Sequence, residues 1–122
     1  MSSVSTVNIA DILDQAVVEL EKRGWIKNTY EDERGRVCAA QAVIIAAAII
    51  NGVVVPEKNT RDIVSEGSRS APIFDYIEGV LSSNSRIEAD TIAIYNDTPS
   101  RRKKDVVNFF RECAAKWREE YS

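Results

Sequence analysis

Val37-Cys-Ala-Ala-Gln-Ala-Val-Ile-Ile-Ala-Ala-Ala-Ile-Ile-Asn-Gly-Val-Val-Val55 decides how the chain folds. Only Gln41, Asn51 and Gly52 interrupt the apolar character of these 19 residues. That is close to the ~20 residues that span a bilayer, so a membrane span has to be weighed first. Six of the 19 are alanine, which is weakly hydrophobic, and Asn51-Gly52 is a helix-stop signal. A helix that is apolar all round is one that is surrounded by protein. The stretch predicts a buried Ala/Ile-rich central helix over about Val37 to Ile50. Val53-Val54-Val55-Pro56 follows as an extended connector, because a proline disfavours helix at the residue before it.

The flanking segments supply amphipathic partners for such a helix. Ile9, Ile12, Leu13, Ala16, Val17 and Leu20 form one stripe of a helix running from Ile9 to Arg23. Asn8 caps it, with Asp11 three residues on, and Gly24 stops it. Trp25 to Val37 has turn chemistry at Asp32-Glu33-Arg34-Gly35, which fits a small β-hairpin or an ordered loop. Asn59 to Glu66 suits one or two helical turns capped by Asn59, and 67–71 is a small-residue linker. Pro72 opens a helix carrying Ile73, Phe74, Ile77, Val80 and Leu81 and ending near Ser82. Ser85-Arg86-Ile87-Glu88 reads as a capping box for a helix with Ile87, Thr91, Ile94 and Tyr95 on one face. The last helix covers about Arg101 to Glu120, with Val106, Phe110, Cys113, Ala114, Trp117 and Tyr121 as its stripe. The expected architecture is all-α: a compact single-domain bundle of about five helices, residues 1–122, with 1–7 as a flexible lead-in.

Composition narrows the chemistry. The chain has 122 residues, 44% hydrophobic and 29% charged, enough to bury a core without metal or disulfide. It contains no histidine, which excludes a Ser-His-Asp triad, a Cys-His pair and an HExxH zinc site. Cys38 and Cys113 are too few for a four-ligand zinc site and read as reduced, buried thiols of a cytoplasmic protein. Met1 to Val7 has neither the basic nor the apolar region of a signal peptide. The carboxylates Glu31, Asp32 and Glu33 lie in polar sequence with no acid-base geometry in view, and no phosphate-binding glycine loop is present. No cofactor is implied.

Tyr95-Asn96-Asp97-Thr98-Pro99-Ser100-Arg101 joins two predicted helices, and loops on rigid scaffolds commonly carry function. Asn96 and Asp97 equally suit plain helix capping. Arg101-Arg102-Lys103-Lys104 puts four cations in the first turn of the last helix, the end where positive charge is disfavoured. With the free amides there, this forms a potential anion site, or else a solvated charged turn. Residues 101–122 carry +3 and the first hundred −6, for a net charge of −3. That asymmetry suits orientation toward a partner and falls short of a DNA-binding balance. Trp25 is either a core plug or a stacking surface, and Phe109 either widens the core face of the last helix or contributes to a dimer seam.

The Gly24-Trp25 pair after the first helix and Tyr95-Asn96-Asp97-Thr98-Pro99-Ser100-Arg101 before the last resemble a family of short uncharacterised bacterial and phage proteins. The Ala-rich helix between them fits the same pattern. The family carries a signature close to Trp-Asn-Asp-x-Pro-x-Arg. Here Tyr95 stands for the tryptophan, Ser100 for a common glycine, and Arg102-Lys103-Lys104 is richer in cations than usual. The resemblance implies a phage or mobile-element accessory protein. The reading is a non-enzymatic binding protein engaging a host protein through Trp25, Asn96, Asp97, Arg101 and Arg102. Its alternative is a binder of a phosphorylated small molecule or nucleic acid at Asn96-Asp97 and Arg101-Lys104.

Overall fold

The computed structural model describes residues 8–60, 71–83 and 91–121. They form five helices: α1 (Ile9–Arg23), α2 (Ala39–Ile50), α3 (Ala71–Ser83), α4 (Ile92–Asp97) and α5 (Lys103–Tyr121). The lead-in, the linker from Gly67 to Ser70, and the capping box at Ser85–Glu88 lie outside the described residues.

Local rules set the ends of α1 and α2. Asn8 Oδ1 accepts the Asp11 amide at 3.1 Å, and Gly24, at φ 95°, closes α1 through its N–H to Leu20 O at 2.9 Å. The stripe read from the sequence is buried, Leu13, Ala16 and Leu20 completely. Each buried leucine or isoleucine side chain contributes ~1.5–3 kcal/mol. α2 ends in a two-bond reversal, Gly52 N–H to Ile49 O at 3.0 Å and Val53 N–H to Ala48 O at 2.9 Å, with Gly52 at φ 87°. Nine of its twelve residues are buried, as a central helix requires. Among the described residues no helix is long and apolar enough to cross a membrane. The apolar run is divided between twelve helical residues and an extended connector.

α1 packs against both α2 and α5, and α2 against α4. Ion pairs at both ends make α1 and α5 antiparallel. Lys103 Nζ lies 3.1 Å from Glu21 near one end. Arg118 meets Asp11 at 3.0 Å and Asp14 at 2.7 Å near the other. Exposed pairs of this kind each contribute under ~1 kcal/mol, so they set direction more than stability. Phe109 is 4% exposed, with its ring 4.7 Å from that of Tyr95. It widens the core face and is not free to form a dimer seam. Tyr121, expected on the buried stripe, is exposed and lies 4.0 Å from the Trp117 ring.

Of the two forms that the turn chemistry of Trp25 to Val37 fits, the structure takes the ordered loop and not the hairpin. Val37 bridges Trp25 in parallel and Glu31 in antiparallel sense, each an isolated bridge. A hairpin needs a continuing ladder between two strands. Here Asn28, at φ 66°, turns the chain early, and the Asp32 carboxylate draws in the Arg34 and Arg36 amides at 3.0 and 2.9 Å. Of the helical turns expected over Asn59 to Glu66, residues 61–66 lie outside the described residues; Asn59 itself is left-handed, φ 59°, where a helix cap would be extended. Thr91 does not share a helical face with Ile94 and Tyr95. It is extended (φ −126°, ψ 156°) and caps α4, its Oγ1 accepting the Ile94 amide at 3.2 Å. Ile94 is half exposed. α5 begins at Lys103, two residues later than expected.

Gly35 locks the loop to the connector. It is buried at φ 85°, and a Cβ there would stand 2.7 Å from the Glu57 carbonyl oxygen. Gly35→Ala combines left-handed strain with a backbone clash and is expected to cost on the order of 1–3 kcal/mol. Thermal unfolding followed by circular dichroism should show a melting temperature several degrees lower, whereas Gly52→Ala, with open space around its Cβ position, should lose less.

Candidate functional site

The Tyr95–Arg101 segment folds onto the Trp25–Ala39 loop, and the Asn96 carboxamide is the centre of that contact. Asn96 is 1% exposed. Its Oδ1 accepts from Trp25 Nε1 at 2.6 Å and from the Ala39 amide at 2.9 Å. Its Nδ2 donates to Ile26 O at 3.2 Å and to Asp97 Oδ1 at 2.9 Å. An asparagine side chain has two donors and two acceptor sites, and the chain itself fills all four. Asp97 Oδ1 also accepts the Asn28 amide at 2.8 Å. Lys27 Nζ donates to Thr98 O and Pro99 O, both at 2.8 Å.

Arg101 completes this web. Its Nε donates to Tyr95 O at 3.0 Å, and its guanidinium sits 3.8 Å from the centre of the Tyr95 ring, a cation–π geometry. Tyr95 is buried, and burial pushes its phenol up to about 12 against the pull of the Arg101 charge. Four of the five residues singled out from the sequence, Trp25, Asn96, Asp97 and Arg101, are thus brought together. Arg102 is not. Its side chain is 67% exposed and lies 3.7 Å from Asp105.

The four cations at the start of the last helix go to different surroundings. The Arg102 amide is taken by Asp105 Oδ2 at 2.9 Å, Arg101 folds back onto Tyr95, and Lys103 pairs with Glu21. An acidic side chain in the first helical turn satisfies both an orphan amide and the dipole, and Asp105 does so for Arg102.

Two further polar networks gave little sign of themselves in the sequence. Glu31 Oε2 accepts the Asn59 amide at 2.5 Å, and its Oε1 accepts the Thr60 amide at 2.9 Å and the Thr60 hydroxyl. Gln41 Nε2 donates to the same hydroxyl oxygen at 3.0 Å. Burial opposes the Glu31 charge, yet the hydrogen bonds from Thr60 and Asn59 hold its pKa below the ordinary 4.5. Glu19, 1% exposed in α1, takes Arg23 Nε at 2.7 Å and Gln15 Nε2 at 2.8 Å, and Arg23 goes on to the Pro56 and Glu57 carbonyls. No local spacing connects positions 31 and 59. The Glu19–Arg23 pair has the familiar i,i+4 spacing, which in most helices marks a solvated face. Cys38 and Cys113 are free and buried. Burial raises both thiols, Cys113 to about 12, the opposite of what a nucleophilic thiol needs.

Three of the surface hollows among the described residues bear on the site. One of about 240 Å³ is bordered by Lys22, Arg34 and Lys58, and one of about 430 Å³ by Lys103, Lys104 and Arg111. The third, about 220 Å³, lies beside the Asn96 web, between Tyr30, Ala93 and Asp97. Among the described residues no group of three His, Cys, Asp or Glu side chains is placed to hold a metal ion.

Asn96→Ala leaves the Trp25 indole N–H, the Ala39 amide and the Ile26 carbonyl without their partner. The expected loss is on the order of 3 kcal/mol, read as a lower urea midpoint, with a shift of Trp25 emission as its environment opens. Glu31→Gln tests the second network through pH. A lowered folded pKa gives stability that is fully present above 4.5 and is lost as pH falls through the folded value. The stability gap between wild type and Glu31→Gln should therefore be flat above about pH 5.5 and narrow below about pH 4, measured by urea unfolding across that range.

No curated protein and no solved structure matches the chain. A family model does match, over residues 4–116. The loop, central helix and Asn-Asp segment described above all fall within that span, and the chain belongs to the family of unknown function DUF6197.

Proposed function

We propose that the chain is a small non-enzymatic binding protein that engages an acidic surface of a protein partner through the basic end of the α1–α5 pair. The observation that carries this reading is the clustering of positive charge there. Lys22, Arg34 and Lys58 border one hollow, and Lys103, Lys104 and Arg111 the other, on either side of the last turn of α1. The whole chain is net negative at −3, so these two groups of cations stand out against an acidic remainder. Complementary fields of this kind steer encounter and fix orientation more than they add affinity.

A protein partner suits the surface better than a nucleic acid. Glu21 and Glu57 interrupt the cations within the two hollows, and the acidic remainder of the chain repels a long polyanion. The absence of histidine removes the commonest general base. The Asn96 carboxamide, spent on the chain's own groups, serves this reading as the frame that fixes the loop bearing Arg34. An accessory protein of a phage or mobile element, acting on a host protein in the host cytoplasm, is the setting the sequence resemblance supports.

The test compares wild type with Lys22→Glu/Lys104→Glu, two exposed positions, by affinity capture from bacterial lysate at low and high salt. A protein retained by wild type, lost by the variant and released by salt, with melting temperatures matched within about 2 °C, supports the proposal. Retention by both forms overturns it. A heat-released phosphorylated small molecule with the same charge dependence replaces it with the phosphate-binding alternative, moved from Asn96-Asp97 to these hollows.

A further inference from the structure

We infer that the hollow beside the Asn96 web is a binding site for a small organic cation, a guanidinium or alkylammonium group on a short chain. Of the three hollows it is the one bordered by no lysine or arginine. It holds a single formal charge, the Asp97 carboxylate. Asp97 Oδ1 is fixed by the Asn28 amide and Asn96 Nδ2. Oδ2 receives no hydrogen bond from the described residues. The carboxylate is thus oriented by two donors and keeps one oxygen for a ligand, an arrangement that costs little to reorganise on binding.

The remaining walls suit an organic cation better than a metal ion. Tyr30, 53% exposed, contributes an aromatic side chain at the rim, and Ala93 and Cys38 contribute apolar surface. Guanidinium and ammonium groups bind beside a carboxylate and against an aromatic face. Magnesium or calcium wants six or more oxygen ligands, and one carboxylate with amide and hydroxyl neighbours offers too little charge. The volume, about 220 Å³, lies below the roughly 300–1,000 Å³ of sites for drug-sized ligands and matches a cationic head group with a few carbons. The site shares no residue with the basic face of the proposed partner contact, so either reading can fail alone.

The experiment titrates the full chain with butylguanidinium, butylammonium and neutral butanol, following backbone amides by NMR. The cations are expected to shift Asn28, Thr29 and Tyr30, and butanol to leave them unmoved. An acetylated Gly-Arg-Gly tripeptide separates the two sources of such a group. Binding as tight as butylguanidinium indicates an arginine side chain presented by a peptide, and no binding indicates a free small molecule. Asp97→Asn retains an Oδ1 acceptor for the Asn28 amide while removing the charge, and should weaken cation binding about tenfold. Tyr30→Leu should weaken it several-fold with the melting temperature unchanged, and it serves if Asp97→Asn does not fold. Butanol binding as well as the cations, shifts mapping away from Asn28–Tyr30, or full affinity in both variants would overturn the site.

Discussion

The buried carboxamide of Asn96 joins parts of the chain that no local rule would bring together. It stands between the Trp25 indole, the Ile26 carbonyl and the first amide of α2, with Asp97 beside it. The first amides of a helix have no partner within it. α2 relies on Cys38 for its own cap, and a sulfur accepting the Gln41 amide at 3.4 Å is a weak one. Asn96 supplies the missing acceptor from 57 positions away. The most buried helix of the protein is therefore capped partly by a residue of α4, and the same side chain ties down the loop that leads into α2. A polar group this deeply buried is favourable only when every hydrogen bond is made, which makes the arrangement specific to one geometry.

The charged groups follow a similar logic. Asp32, Glu31 and Asp105 each hold backbone amides as well as any cation they meet. Glu19 is buried, but with Arg23 and Gln15 on its two oxygens. Arg23 then carries that contact to the carbonyls after the connector. These acids organise irregular backbone, in a chain whose described residues contain no sheet to do so. Of the cations at the far end of α1 and the near end of α5, Lys103 pairs with Glu21, while Lys22 and Lys104 are exposed.

How much of this was legible in the sequence depends on the range of the interaction. α1 could be read to the residue, because its stripe, Asn8 and Gly24 are all local signals. α2 was legible as a buried helix through composition alone, and its end through Asn51-Gly52. The loop after Trp25 was harder. Hairpin and ordered loop share turn residues, and the choice was made by Val37 pairing with two different segments. Thr91 was misplaced because apolar spacing continues across it, whereas the backbone restarts there with a cap. Of the candidate site, sequence reasoning found the residues but not their roles. Asn96, Asp97 and Arg101 stood out as a polar motif, and no spacing rule connects Asn96 to Trp25 or Ala39.

A motif that looks functional because it is polar and compact can be compact for structural reasons, and the bonding of each atom separates the two cases. Asn96 has no atom to spare, and Arg101 is drawn back onto Tyr95. Asp97 is different: one oxygen belongs to the fold and the other does not. Arg102 and Lys104 are likewise on the surface, and neither is held by the web. The pattern Asn-Asp-x-Pro-x-Arg therefore contains groups that build the molecule beside a carboxylate oxygen that takes no hydrogen bond from the described residues.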